Sequence, residues 1–329
     1  MDVAKTQRIG LLPIDGFALM SFASVAEPLR AANLLAGRVL YDVVTIGAGG
    51  AEVASSGPAH VTARAGLGTD LALDFLFVIA GGRPEGFADR RVLGWIGRMA
   101  RKGVVIGGVS GGPVILVKAG VMRGFRMTVH WEHAPALLEA HPDLILERSL
   151  FVTDRGRVTC GGGTAALDMM LALIERHHGA IFSRRISDWF LHPEIRESSS
   201  AQRMALPERI GTTNAAVVIA VAAMEEHIAV PVTLARLAGA AGVSPRHLNR
   251  LFLSATGTSA MRYYRDRRLE AADNLLGSSV LSITEIAQAT GFASSSHFAS
   301  AYRDRYGALP SAARRATGPA RADPRGRAR

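Results

Sequence analysis

The feature that most constrains this 329-residue chain is a stretch near its C-terminus that occurs twice, at a spacing of about 50 residues. The copies run from Leu234 to Phe252 and from Ile283 to Tyr302. Each reads as a short helix, a glycine (Gly242, Gly291), one apolar residue (Val243, Phe292), a polar cap region and a second helix. This is the helix-turn-helix plan. The glycines stand where the turn needs a positive φ. Val243 and Phe292 are placed to plug the angle between the helices, and Ser244 and Ser294 to cap the second helix. Helical spacing turns Leu248, Leu251 and Phe252 inward in one copy, and Phe298 and Tyr302 in the other. That leaves Arg246, His247, Asn249 and Arg250, and likewise Ser295, Ser296, His297 and Ser300, facing outward. These groups can bond base edges and phosphates in a major groove of double-stranded DNA.

The segment between the copies, Ser259–Leu276, repeats Met261, Tyr264, Ala272, Leu275 and Leu276 at helical spacing. A helix of that length is roughly 27 Å long, and neighbouring major grooves on one face of DNA are about 34 Å apart. One stiff helix is therefore expected to carry two recognition helices near groove separation. A helical bundle with an accidental repeat would have to reproduce glycine, plug and cap in both copies.

Charge follows the same division. Residues 201–329 carry 17 basic residues, all arginine, against 9 acidic ones, a net of +8; residues 1–200 carry 21 against 19, a net of +2. A GC-rich coding bias accounts for arginine over lysine but not for the asymmetry, which points to a polyanionic partner.

The second part resembles the AraC/XylS family. The matching residues are Ser244 to Phe252, Gly257, Tyr264, Arg268-Leu269, Ala271-Ala272 and Leu275-Leu276, then Ser282 to Ala287, Gly291 to Phe298, Tyr302, Gly307 and Pro310. Ala313 departs from an aromatic frequent in that family. The resemblance implies sequence-specific binding to promoter DNA and action on RNA polymerase.

The first part alternates apolar strands with amphipathic helices. Strands are expected at Arg8–Pro13, Tyr41–Ile46, Phe75–Ala80 and Val104–Val109, with helices around Ser21–Leu35 and Arg90–Lys102. A strand pair, Leu150–Thr153 and Arg157–Cys160, precedes a helix from Thr164 to about His178. This pattern predicts an α/β three-layer sandwich with a parallel sheet. The expected limits are residues 1–195 for this domain, 196–212 for a polar linker, 213–316 for the all-α domain with its two helix-turn-helix units, and 317–329 for a basic tail. An irregular, solvated stretch is expected from Arg314 onward.

Gly107 to Pro113 follows a strand and opens a helix, placing Ser110 on a sharp turn of the nucleophile-elbow type. With Leu116 to Gly124, Thr128 to Glu132, Thr159 to Leu171 and Ser24 to Asn33, this stretch resembles the PfpI-type, class I glutamine amidotransferase-like domain. Such domains fused to AraC-type domains form the GlxA-like regulators. Catalytic relatives carry cysteine, often followed by histidine, where this chain has Ser110 and Gly111. A serine without a base is a poor nucleophile, so no enzyme activity is expected. The competing reading is a PfpI-like amidase or protease with Ser110 as nucleophile; a third is an architectural DNA binder that senses nothing.

The sensor reading puts a ligand above the strand ends, touched by Gly82, Ser110, Gly111, His130 and Trp131. The resemblance implies Glu27 beside the elbow, facing a cation; the alternatives are a carboxylate capping the elbow and, for Trp131, ordinary core. Backbone N–H groups of Gly81-Gly82 and Gly161–Gly163 are read as donors to an anionic group. The resemblance further implies a small amine or amino-acid-like effector of the betaine, carnitine or arginine class, an activator, and a homodimer. Cys160, the single cysteine, excludes an internal disulfide and fits a reducing cytoplasm; it reads as a small buried residue. No cofactor, metal site, signal peptide or membrane span is expected.

Overall fold

Every residue of Phe75–Ala80 is buried, which requires cover on both faces of the strand. The computed structural model describes residues 5–279 and 281–317, and the chain divides into two compact units after Gln202. The first contains β1 (Gln7–Pro13), α1 (Leu19–Ala36), β2 (Tyr41–Gly47), β3 (Glu52–Ala54), β4 (His60–Thr62), β5 (Ala65–Gly66), β6 (Phe75–Ala80) and α2 (Arg90–Arg101). It continues with β7 (Val105–Ser110), α3 (Gly112–Lys118), β8 (Arg126–Met127), α4 (Ala134–Ala140), β9 (Ile145–Leu146), β10 (Phe151–Asp154), β11 (Arg157–Cys160), α5 (Ala165–His178) and α6 (Ala180–Trp189).

Seven strands form the main sheet in the order β10-β11-β7-β6-β1-β2-β5. All pairs are parallel except β10 with β11. Alternate residues serve opposite cores. Ile9, Leu11, Phe75, Phe77 and Ile79 pack with Val25, Leu29, Met170, Ile174 and Ile186 of α1, α5 and α6. Leu12, Leu76, Val78 and Ile106 pack with Val92, Trp95, Ile96, Ile115 and Leu116 of α2 and α3. The three-layer α/β sandwich is thus built as expected. Helix α6 was not anticipated: Gly179 turns the chain at φ 87° and a second amphipathic helix follows.

Residues 196–202, expected as linker, belong to the first unit. Asp168 is fully buried, and its carboxylate accepts from the Arg196 backbone N–H (3.0 Å) and guanidinium (2.6 Å), with His192 Nε2 2.9 Å away. Leu150 N–H donates to the Ser198 and Ser200 carbonyls. The polarity of this stretch answers a buried charge, which must be paired to be tolerated.

The second unit comprises α7 (Leu206–Ile210), α8 (Ala215–Glu226), α9 (Leu234–Ala240), α10 (Pro245–Thr256), α11 (Ala260–Ser278), α12 (Ile283–Ala289), α13 (Ser295–Tyr306) and α14 (Pro310–Thr317). Helix α7 shortens the expected linker further, since Leu206 and Ile210 pack against the core of Val217, Val221, Leu237, Leu248 and Phe252. Both copies of the repeat are built alike. Thr233 and Ser282 cap α9 and α12, the latter in a reciprocal capping box with Glu285. Ser244 and Ser294 accept from the N–H groups of His247 and His297 to cap α10 and α13. Gly242 and Gly291 hold φ of 68° and 71°. Helix α14 contains Arg314 and Arg315, correcting the expectation of an irregular chain from Arg314; positions 318–329 of the expected tail lie outside the described residues. No described helix is long and apolar enough to cross a membrane.

Candidate functional site

On α10, Arg246 and Arg250 are exposed and His247 half-exposed. The Arg250 guanidinium lies 3.0 Å from His247 Nδ1, so the two side chains present one polar surface. Asn249 does not join them. Its Oδ1 accepts from the Ala260 N–H (3.1 Å), because the first amides of α11 lack intrahelical partners and this side chain supplies one. On α13, Ser296, His297 and Ser300 are exposed. Ser295 turns its hydroxyl to Thr284 (3.0 Å) and Ser296 to Ser294 (3.0 Å), while the His297 ring meets the edge of Phe292.

Helix α11 fixes the second of these surfaces. Its Arg268 donates Nε–H to the Thr290 carbonyl (2.8 Å) and lies 4.3 Å over the Phe292 ring. Arg305 of α13 pairs with Asp266 (3.2 Å) and Glu270 (2.6 Å), and Tyr302 donates to Asp273. A Cβ on Gly291 would fall 2.5 Å from Pro231, so the turn of the second copy rests on the loop before the first.

In the other unit Ser110 closes β7 at φ 60°, the left-handed conformation an elbow demands. It is nearly buried, and its carbonyl accepts from the His130 N–H (3.4 Å). The His130 and Trp131 rings lie 5.3 Å apart, and Trp131 is 39% exposed, so it is not ordinary core. Burial, with His133 adding to it, holds the His130 imidazole below its usual pKa. Gly82 is exposed at φ 59°.

Three expectations fail here. Glu27 is directed to solvent and paired with Arg30 at 2.7 Å; the α1 residue beside the elbow is Ser21, whose Oγ accepts from Gly163 N–H (2.8 Å). A carboxylate does reach the His130–His133 cluster, but from Glu85, 3.0 Å from His133 Nδ1. Gly111 is buried against Pro84 and its N–H is spent on the Ala80 carbonyl. The amides of Gly161 and Gly163 are spent as well, on Leu150 O and Ser21 Oγ. Each amide that stabilises the fold in this way is lost to an anion. Burial pushes the Cys160 thiol up to about 12, which keeps it protonated and unreactive. Sequence reasoning also passed over Gln202, whose Oε1 accepts from Trp131 N–H (2.9 Å). Two surface grooves of about 860 and 1010 Å³ include neither Ser110, His130 nor Trp131.

A duplicated, capped helix-turn-helix on one connecting helix, following an elbow-bearing parallel sheet, defines a transcription regulator with an AraC-type DNA-binding domain. The family described as helix-turn-helix domain matches residues 237–316, and the DJ-1/PfpI family matches residues 7–176. The HTH-type transcriptional regulator GlxA of Rhizobium meliloti is 45% identical over 318 residues, covering 96% of this chain and 98% of that protein. GbdR of Pseudomonas aeruginosa, also named an HTH-type transcriptional regulator, is 39% identical over 304 residues, covering 92% and 83%. A crystal structure of a THiJ/PfpI family protein from Pseudomonas syringae shares the fold at a TM-score of 0.53 and 20% identity, covering 72% of this chain and 89% of that one. The chain belongs to the GlxA/GbdR family of transcriptional regulators.

Proposed function

We propose that the chain is a ligand-responsive activator working in the cytoplasm. As a homodimer it binds promoter DNA and contacts RNA polymerase, and its amidotransferase-like domain has kept the elbow without the chemistry. Arg246, His247 and Arg250 read one major groove, and Ser296, His297 and Ser300 the next; Asn249 and Ser295 hold these helices in place. The observation that carries the reading is the exposed Arg246–Arg250 surface on a capped helix whose twin recurs as α13. Ser110, Gly82, His130 and Trp131 form the ligand site. Its occupant is a small amine or amino-acid-like molecule, whose cationic end suits the exposed Trp131 face. The non-catalytic reading is supported by the Ser110 hydroxyl, which among the described residues makes no hydrogen bond to a histidine.

The test takes a duplex selected by the full chain from a random pool. Arg250→Ala is expected to weaken its binding by about 1–3 kcal/mol, with relaxed preference at one position where the contact is to a base. Glycine betaine, carnitine and arginine are then screened by thermal shift; a compound at 100 times its Kd stabilises by about 2.7 kcal/mol. Ser110→Ala is expected to leave a promoter reporter's response within about threefold. Its abolition, together with acyl-substrate hydrolysis by the wild type, would establish the enzyme instead.

A further inference from the structure

Gln202 is the last residue of the first unit. Its neighbours Ala201 and Arg203 are exposed, yet its side chain is drawn into the wall of the elbow region. Nε2 lies 2.9 Å from Thr128 Oγ1, 2.9 Å from the Val129 carbonyl and 2.7 Å from the Ser149 carbonyl. Two N–H protons are thus shared among three oxygens, while Oε1 accepts from Trp131 N–H. Thr128 is fully buried and accepts no slack, since its own N–H donates to Thr159 Oγ1 (2.9 Å).

The amide is gripped from a second side. A Cβ on Gly161 would fall 2.8 Å from the Gln202 amide carbon, so only glycine leaves room for it there. The next residue, Gly162, fits so tightly that a Cβ would meet Ser110 Cβ at 2.5 Å and Ser21 Oγ at 2.7 Å. One side chain therefore touches both loops beside Ser110: residues 128–131, which carry His130 and Trp131, and residues 161–162. Beyond it the chain has three residues, Arg203–Ala205, before α7 begins. Three residues span at most about 11 Å, and α7 is fastened to α8 by Arg209–Glu225 (2.9 Å). A displacement of Gln202 has little chain in which to dissipate.

We infer that Gln202 is the positioning residue that passes the state of the elbow loops to the DNA-binding unit, an inference that rests on the ligand-sensing reading above. A molecule seated against Trp131 shifts the 128–131 or 161–162 backbone, the amide loses or regains its four hydrogen bonds, and the chain entering α7 is released or held. No contact with the ligand is required of Gln202 itself.

The experiment measures duplex affinity of the full chain with and without glycine betaine, carnitine or arginine, and the affinity of the responding compound by calorimetry. The wild-type ratio of duplex affinities is expected to be fivefold or more. In Gln202→Ala it is expected to fall within twofold of unity, while the compound's own Kd moves less than threefold. Gly161→Ala, which keeps every polar group and pushes on the amide from the other side, is expected to do the same. A residue with a purely structural role would lower the melting temperature and leave the ratio intact, and that outcome in both variants overturns the inference. A wild type answering none of the three compounds overturns the ligand-sensing reading along with it; a responsive wild type with equally responsive variants overturns the inference alone.

Discussion

Ser110 holds the sharp elbow turn at a local conformational cost. A non-glycine residue at φ 60° costs roughly 1–2 kcal/mol, and the surrounding structure compensates through the bond from His130 N–H and the close approach of Gly162. Histidines elsewhere in this unit make its stability depend on pH. Burial lowers the pKa of His130, His177 and His178; His133 adds to the first effect, His178 and Arg176 to the second, and Arg38 to the third. The unfolded chain takes up these protons as pH falls through about 6.5, whereas the folded chain resists until lower pH. Their contribution is therefore complete above about pH 6.5 and lost as pH drops towards the folded values. The melting temperature is expected to fall between pH 7.5 and 5.5, and less steeply in His130→Gln. Equal slopes would show that the folded and unfolded chains protonate His130 alike, so that burial does not lower its pKa.

Among the elements, α11 is more than a spacer. Its 19 residues make it about 28 Å long. Tyr264, near its start, shares a core with Leu237, Leu248 and Phe252 of the first helix-turn-helix and donates to the His227 carbonyl (2.6 Å) at the end of α8, while Arg268, Asp266, Glu270 and Asp273 hold the second helix-turn-helix. Arg268→Met removes a charge-assisted hydrogen bond and a cation–π contact together. It is expected to destabilise the second copy by about 2 kcal/mol and to weaken duplex binding, read by urea melts and by titration of the selected duplex. Unchanged stability would mean that packing alone orients α13. The caps, turn glycines and inward residues of both copies were legible in the sequence because each acts on a neighbour three or four residues away. The Arg268 contact was not, because its partners lie 22 and 24 residues further on.

For the whole molecule the uneven charge sets the expectation. With two reading surfaces and a net of +8 after residue 200, six phosphate contacts would give a slope of log affinity against log salt of about −5. Titration of the selected duplex between 50 and 200 mM salt checks it. Arg246→Ala is expected to reduce the slope by about 1 where its contact is to phosphate. A slope near −2 would leave one of the two surfaces off the DNA.

The amino-acid order determined the division into two parts, the parallel sandwich, the elbow and the paired reading heads, since hydrophobic periodicity, glycine turns and serine caps are all written over short spans. Only tertiary folding decided which groups meet at the elbow. Ser21 rather than Glu27 reaches the elbow through a bond to Gly163, 142 residues away. Arg196 joins the sandwich rather than a linker because it pairs, together with His192, with the fully buried Asp168 carboxylate. Gln202 finds Thr128 and Trp131 across more than seventy residues. A polar side chain has no periodicity to announce its partner, and its place is fixed by the requirement that whatever the core encloses be hydrogen-bonded.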